Sequence, residues 1–233
     1  MIISASRRTD IPAFYSDWFI NRLKEGFVLV RNPLNIHQVS RINLSNDVVD
    51  CIVFWTKNPE PMLDKLDYLQ EYNYYFQFTL TSYQVDVEKK VPSKGKQIIS
   101  TFKKLSDLIG PEKVIWRYDP ILLNKKYTIE YHLKNYEKLA KVLSGYTDKC
   151  IISFLDFYSK TTKNLKDLDV ENFDYEKIII IAKKIAEIAK KYNLKIETCA
   201  EKYELENFGI KHAHCIDSEL IEKIVNCKLN LKK

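Results

Sequence analysis

The chain has 233 residues, of which 45% are hydrophobic and 29% are charged, a composition typical of a folded globular protein. Only five residues are glycine. None of them forms a G-x-G-x-x-G motif or a loop that ends in Gly-Lys-Ser/Thr, so the sequence excludes both of these nucleotide-binding fingerprints. The formal net charge is +6, which favours anionic partners but is modest for a dedicated nucleic-acid-binding protein.

Six predicted strands follow one another along the chain as short, almost continuous apolar runs, as expected for parallel strands covered on both faces. The predicted strands are Ile2–Ser6, Val49–Trp55, Tyr74–Leu80, Val114–Tyr118, Cys150–Leu155 and Lys195–Cys199. Segments of helical periodicity lie between and after them, at Ala13–Glu25, Pro61–Glu71, Lys94–Ile109, Ile129–Leu143, Tyr175–Tyr192, Lys202–Phe208 and Ser218–Asn226.

This alternation predicts a single α/β domain over residues 1–233 with right-handed crossovers. Six units are too few for a closed eight-stranded barrel. A TIM-barrel-like, partial six-unit (β/α) barrel is therefore favoured, with a doubly wound parallel sheet as the alternative. An extra hairpin or loop is predicted at 27–44, around Asn32-Pro33, and the polar segment Tyr158–Phe173 is interpreted as a lid.

The five cysteines show no C-x-x-C spacing, which excludes a zinc ribbon or a thioredoxin-type motif. Their odd number, with no signal peptide and no apolar stretch longer than five residues, predicts reduced thiols in the cytoplasm and no membrane association. His212, His214 and Cys215, with Cys199, could ligate a metal. A polar turn beside a buried thiol is the favoured interpretation, so no metal site is predicted.

Arginine is scarce, with six residues, and five of them lie within the first 41 positions. A guanidinium binds carboxylate or phosphate through two parallel hydrogen bonds, so scarce arginines in a lysine-rich chain indicate anion-binding positions. Parallel α/β folds place their sites at the carboxyl ends of the strands, and each predicted strand delivers polar side chains there. The candidate ligand-binding residues are Arg7, Arg8, Asp10, Arg31, Lys57, Asn58 and Arg117.

Carboxylates follow the later strands and are candidates for acid, base or metal-binding roles, namely Asp119, Asp156, Glu197 and Glu201. Several of the candidates also have purely structural interpretations. Asp10 and Asn58 could cap helices, and Arg117 could pair with Asp119 or with Glu197. The mixture of charges favours a pocket for a small phosphate- or carboxylate-bearing molecule over a nucleic-acid groove.

Five separated motifs resemble the bacterial domain of unknown function 1848 family, and the resemblance covers essentially the whole chain. They are Ile3–Pro12, Val30–Pro33, Phe54–Pro59, Trp116–Pro120 and Cys215–Asp217. The resemblance implies no established activity, and therefore no functional residue. Longer members look similar to radical-SAM enzymes, since they continue into a C-x-x-x-C-x-x-C cluster.

In such enzymes that cluster holds a [4Fe–4S] centre beside S-adenosylmethionine, and these cofactors are expected only in the longer relatives. The present chain stops at Lys233, before any such motif. It is either a shortened form or a member without the cluster. The first hypothesis is an enzyme-like partial barrel that binds a small anion. A nucleic-acid-binding module and a regulatory or scaffold protein without catalysis are the alternatives.

Overall fold

A computed structural model describes residues 1–6, 8–92, 96–155, 168–199 and 203–228. Within these residues the strands are β1 Ile2–Ala5, β2 Phe27–Arg31, β3 Val39–Asn43, β4 Cys51–Thr56, β5 Tyr74–Thr79, β6 Val114–Ile121, β7 Lys149–Phe154, β8 Lys195–Cys199 and β9 Lys211–Ala213. The α-helices are α1 Ile11–Phe14, α2 Ser16–Glu25, α3 Glu60–Leu63, α4 Lys96–Ile109, α5 Ile129–Leu143, α6 Tyr175–Lys191 and α7 Ser218–Val225. Shorter 3-10 helices span Leu66–Leu69, Pro111–Lys113 and Glu206–Phe208.

Seven strands form a sheet in the order β1-β4-β5-β6-β7-β8-β9, and β2 and β3 form a separate two-stranded sheet. The pairs β1–β4, β6–β7, β7–β8 and β8–β9 are parallel. The predicted α/β class with a parallel sheet is therefore confirmed. The chain divides into two compact units, Met1–Phe76 with Ile216–Lys233 and Gln77–Cys215, which are described in turn.

The predicted count of six strand–helix units is not confirmed. The seventh strand, β9, is three residues long, and its sequence Lys-His-Ala has no apolar run to reveal it. From residue 203 onward, the segment predicted as helix Lys202–Phe208 contains only the 3-10 turn Glu206–Phe208. Parallel pairing of Glu197 with Lys211 and of Cys199 with Ala213 extends the sheet instead of adding a helix.

The first unit has its core around β4, whose residues Cys51–Phe54 are fully buried. The ring of Phe54 stacks on Phe76 with centroids 4.8 Å apart and meets Phe19 edge-on at 5.3 Å. Coverage on both faces explains why this strand reads as a continuous apolar run.

Two predicted helices of the first unit are divided. Ala13–Glu25 corresponds to α1 and α2, separated at Tyr15, which has the non-helical angles φ −137° and ψ 27°. Pro61–Glu71 corresponds to α3 followed by the 3-10 helix Leu66–Leu69. Three residues per turn place Leu66 and Leu69 on one side, and both are buried.

Strands β2 and β3 form a hairpin where the sequence predicts a hairpin or loop. Strands β2 and β3 pair antiparallel, from Phe27 opposite Asn43 to Arg31 opposite Val39. The Asn32 side chain accepts a hydrogen bond from the Leu34 N–H at 2.9 Å, which fixes the turn.

The second unit contains a buried aromatic core in which Trp116 stacks on Tyr136 with centroids 4.9 Å apart. Beside it, Tyr118 links Ser82 at 2.8 Å to His132 Nδ1 at 2.9 Å. His132 Nε2 lies 2.8 Å from the Leu122 carbonyl, which can only accept, so Nε2 carries the proton and Nδ1 accepts from Tyr118. Burial lowers the pKa of His132 to about 4, so the network holds a neutral imidazole.

Most of the proposed lid, 158–173, lies outside the described residues. Its described end forms an antiparallel bridge in which the Glu171 N–H donates to the Leu123 carbonyl at 2.8 Å. Among the helices within the described ranges, none combines the length and apolarity that crossing a membrane requires.

Candidate functional site

The predicted site residues fall in both units. The first unit holds Arg8, Asp10, Arg31, Lys57 and Asn58, and the second holds Arg117, Asp119 and Glu197. Three further candidates lie outside the described residues, namely Arg7, Asp156 and Glu201.

The carboxyl end of β1 turns sharply at Ser6, which has φ 80°. This left-handed conformation costs a non-glycine residue roughly 1–2 kcal/mol. The Ser6 hydroxyl accepts the Ile11 N–H at 3.0 Å, which supports the turn. Strained backbone of this kind clusters at functional sites, and here it directly precedes the two predicted anion-binding arginines.

Asp10 joins two segments of the first unit through its two carboxylate oxygens. Oδ1 accepts the Ala13 N–H at 3.0 Å and caps α1, while Oδ2 accepts the Lys57 N–H at 2.7 Å. Burial raises the pKa of Asp10, although hydrogen bonds from Lys57, Thr56 and Ala13 act in the opposite direction. The helix-cap interpretation is confirmed, and Asp10 also ties the end of β1 to the segment after β4.

Arg8 is exposed, and its Nη2 donates to the Arg31 carbonyl at 2.8 Å. That contact holds the guanidinium against the end of β2. The acceptor is a main-chain carbonyl, which is uncharged, so this hydrogen bond does not neutralise the charge of Arg8. A guanidinium carries five N–H donors. Arg8 is therefore both oriented and accessible, as an anion-binding residue requires.

The segment after β4 is fixed by its own side chains. The Asn58 N–H donates to Thr56 Oγ1 at 3.0 Å, and Asn58 Oδ1 accepts the Glu60 N–H at 3.3 Å. Lys57 and Asn58 are each half-buried. The side-chain oxygen of Asn58 thus stabilises the turn that leads into α3, whose first residue is Glu60.

In the second unit Arg117 is paired with Asp119. Arg117 Nε lies 3.1 Å from both carboxylate oxygens, and Nη2 also donates to Oδ2. The two side chains are 6% and 13% exposed. Burial favours a lower pKa for Arg117, but the charge and hydrogen bonds of Asp119 outweigh it and raise the pKa. This pairing was one of the structural interpretations of the sequence.

A short polar chain leads from Arg117 to two cysteines. Arg117 Nη1 donates to Gln77 Oε1 at 3.1 Å, and Gln77 Nε2 donates to the Cys215 carbonyl at 3.3 Å. The Arg117 guanidinium also acts on the Cys199 thiol, whose pKa it shifts downward against the effect of burial. The sulfurs of Cys199 and Cys215 lie 3.6 Å apart, and both are free thiols.

Glu197, predicted as a catalytic candidate, pairs with Lys149. Lys149 Nζ lies 2.8 Å from Glu197 Oε1, and each side chain is 17% exposed. The pair connects neighbouring strands β7 and β8, so the position of Glu197 is explained by an ion pair within the sheet. The alternative pairing of Glu197 with Arg117 is replaced by the two pairs Arg117–Asp119 and Lys149–Glu197.

Sequence reasoning missed Gln77, and it placed Cys199 near Cys215 only in the metal-site interpretation that was not favoured. A polar residue at 77 within the apolar run Tyr74–Leu80 is a usable indication, because a buried amide needs partners. The contact between the two thiols depends on β9, which brings Cys215 beside β8.

Within the residues that the structure describes, no group of three or more His, Cys, Asp or Glu could hold a metal ion. A radical-SAM cluster requires three thiolates. The described residues bring two thiols together, Cys199 and Cys215. This donor set does not fit a [4Fe–4S] centre.

These features define an α/β protein with a parallel sheet, an oriented arginine after β1 and a buried arginine–carboxylate pair on β6. The chain belongs to the family described as "Domain of unknown function (DUF1848)", whose sequence model matches residues 2–233. No curated protein matches the chain. One solved structure, from Bacteroides thetaiotaomicron and described as a putative alpha-L-fucosidase, is 12% identical, covers 96% of this chain and 82% of that chain, and has a TM-score of 0.35. A similarity at this level supports no argument about this chain.

Proposed function

We propose that the chain is an enzyme-like, TIM-barrel-like partial (β/α) barrel of the cytoplasm that binds a small phosphate- or carboxylate-bearing ligand. The ligand would lie in the first unit, at the carboxyl ends of β1 and β4. The observation that carries this proposal is the exposed Arg8 guanidinium, which lies two residues after the strained residue Ser6 and is oriented by the Arg31 carbonyl.

The barrel interpretation is supported by parallel strand pairs with helices in the intervening chain. Helices α1 and α2 lie between β1 and β4, α5 lies between β6 and β7, and α6 lies between β7 and β8. Barrels of this type carry their sites at the carboxyl ends of the strands.

The electrostatics of the first unit favour an anion. The carboxylate of Asp10 is half-buried, and both of its oxygens already accept backbone N–H groups of the first unit. Three positively charged residues lie at or shortly after the ends of strands in the sequence: Arg8 after β1, Arg31 at the end of β2 and Lys57 after β4. Bidentate hydrogen bonding from a guanidinium to phosphate or carboxylate is a strong contact, and Arg7 belongs to the same proposed set.

The roles of the carboxylates remain part of the proposal. Asp119 and Glu197 each form an ion pair within the second unit, with Arg117 and Lys149 respectively. This favours a structural role for both carboxylates. Asp156 and Glu201 stay candidates for acid–base chemistry. The relation to radical-SAM proteins is likewise a proposal about longer relatives, and no step is assigned to their cluster.

A thermal-shift panel tests the proposed function. The purified chain is mixed with inorganic phosphate, a mononucleotide, S-adenosylmethionine and small dicarboxylates, and each hit is repeated with Arg8→Ala. We expect at least one anion to raise the melting temperature of the wild-type chain and not that of Arg8→Ala. A panel without any hit contradicts the proposal.

Single- and double-stranded DNA and RNA form a second arm of the panel, measured at low and high salt. Binding of nucleic acid alone, with affinity that falls steeply with salt, would replace the small-ligand proposal with the nucleic-acid alternative.

A further inference from the structure

We infer that Cys199 and Cys215 form a thiol–disulfide exchange site whose reaction partner is a low-molecular-weight disulfide. The inference is independent of the proposed anion site, since all the residues that carry it lie in the second unit. It depends on a contact between two thiols, their unequal exposure and the polar groups that hold them.

The sulfur–sulfur distance places the two residues within reach of a bond. The sulfurs are 3.6 Å apart, whereas a disulfide bond is about 2.05 Å long. A closure of roughly 1.5 Å is within the range of side-chain rotation. Cys199 lies opposite Ala213 in the parallel β8–β9 register, and Cys215 follows two residues later, where β9 has ended.

The two thiols differ in accessibility, which assigns them separate roles. Cys215 is exposed, whereas Cys199 is 8% exposed. A disulfide from solution can therefore reach Cys215, and Cys199 is placed to attack the resulting mixed disulfide from within.

Arg117 supports the buried thiol. Burial and the neighbouring Cys215 raise the pKa of Cys199, and the charge and hydrogen bonding of Arg117 offset part of this rise. Gln77, itself held by Arg117, binds the Cys215 carbonyl and keeps that residue beside Cys199. Burial strongly raises the pKa of Cys150, another buried thiol of the second unit.

The exchange balances without any further oxidant. The Cys215 thiolate attacks one sulfur of the small disulfide, a mixed disulfide forms, and the other half leaves as a thiol. The Cys199 thiolate then attacks Cys215 Sγ, the Cys199–Cys215 bond forms, and the second half leaves as a thiol. The two protein thiols are oxidised, the small disulfide is reduced, and both protons reside on the released thiols.

The test equilibrates the full chain in reduced and oxidised glutathione, followed by alkylation and peptide mass spectrometry. At a constant ratio of reduced to oxidised glutathione, tenfold dilution of both raises the ratio of intramolecular disulfide to dithiol by about tenfold, whereas it leaves a mixed disulfide unchanged. We expect a dilution-dependent peptide cross-link between Cys199 and Cys215. In Cys199→Ser, we expect glutathione to remain attached to Cys215.

Cys227→Ser is the matched control, because Cys227 is also an exposed free thiol and should leave the cross-link unchanged. The inference is overturned if the wild-type chain accumulates only dilution-independent mixed disulfides. It is also overturned if glutathione attaches to Cys227 while Cys215 carries no glutathione and forms no disulfide with Cys199.

Discussion

Arg117 contacts both carboxylate oxygens of Asp119, which lies two residues further along β6. Residues two apart on a strand point to the same face, so the strand itself places the two side chains side by side. Burial then shields the pair from water. The pair therefore belongs to the stability of the second unit. Breaking it by removing one partner leaves a buried charge without compensation.

Arg117→Met should lower the free energy of unfolding by about 3–5 kcal/mol. The double variant Arg117→Met/Asp119→Leu should recover most of that loss, because it leaves neither charge in the core. Urea unfolding measures both values. The exposed pair Lys184–Glu187 is the control, and Lys184→Ala should change stability by less than about 0.5 kcal/mol. A loss below about 1 kcal/mol for Arg117→Met would contradict the structural role.

Asp10 should be more important for stability than an ordinary helix cap. Asp10→Ala removes the cap of α1 and the acceptor for the Lys57 N–H together, and should cost about 2–4 kcal/mol. Asp174 is the matched comparison, since it caps α6 through the Lys177 N–H at 2.7 Å and is exposed. Asp174→Ala should cost about 1 kcal/mol. Equal losses for the two variants would show that the bond to Lys57 contributes nothing.

His132 should make the chain sensitive to mild acid. Its pKa is lowered from 6.5 to about 4 in the folded chain. Above pH 6.5 the imidazole is neutral in both folded and unfolded chains. As the pH falls from 6.5 to 4 the unfolded chain binds a proton that the folded chain does not, so the free energy of unfolding falls by about 3 kcal/mol.

Urea unfolding at several values between pH 7 and pH 4 measures this slope. His132→Gln is the comparison, because an amide retains hydrogen-bonding groups without titrating in this range. We expect the slope to be shallower in His132→Gln by the contribution of one group. Identical slopes would mean that His132 gains its proton equally in both states.

Strands with continuous apolar runs were predictable from sequence. A strand that is buried on both faces needs apolar residues at successive positions, whichever elements pack against it. Lys195–Cys199 and the helix Ile129–Leu143 have the predicted bounds. Strand β9 was not predictable, since three residues with two polar side chains gain their pairing only from β8.

The candidate site divides in the same way. The cap at Asp10 and the Arg117–Asp119 pair follow from local spacing, and the sequence indicated both. The bond from Asp10 to the Lys57 N–H and the approach of Cys199 to Cys215 depend on neighbouring strands that are distant along the chain. Spacing in one sequence carries no information about such contacts.

The most direct test of the proposed anion site is a calorimetric titration with the best ligand from the thermal-shift panel. Arg8→Ala should weaken its affinity by at least about tenfold, the loss expected for a charge-assisted hydrogen bond worth about 1.5–3 kcal/mol. Arg41→Ala should leave affinity unchanged, because that guanidinium lies over the Phe27 ring at 4.2 Å. Equal affinity of the wild-type chain and Arg8→Ala would contradict the proposal.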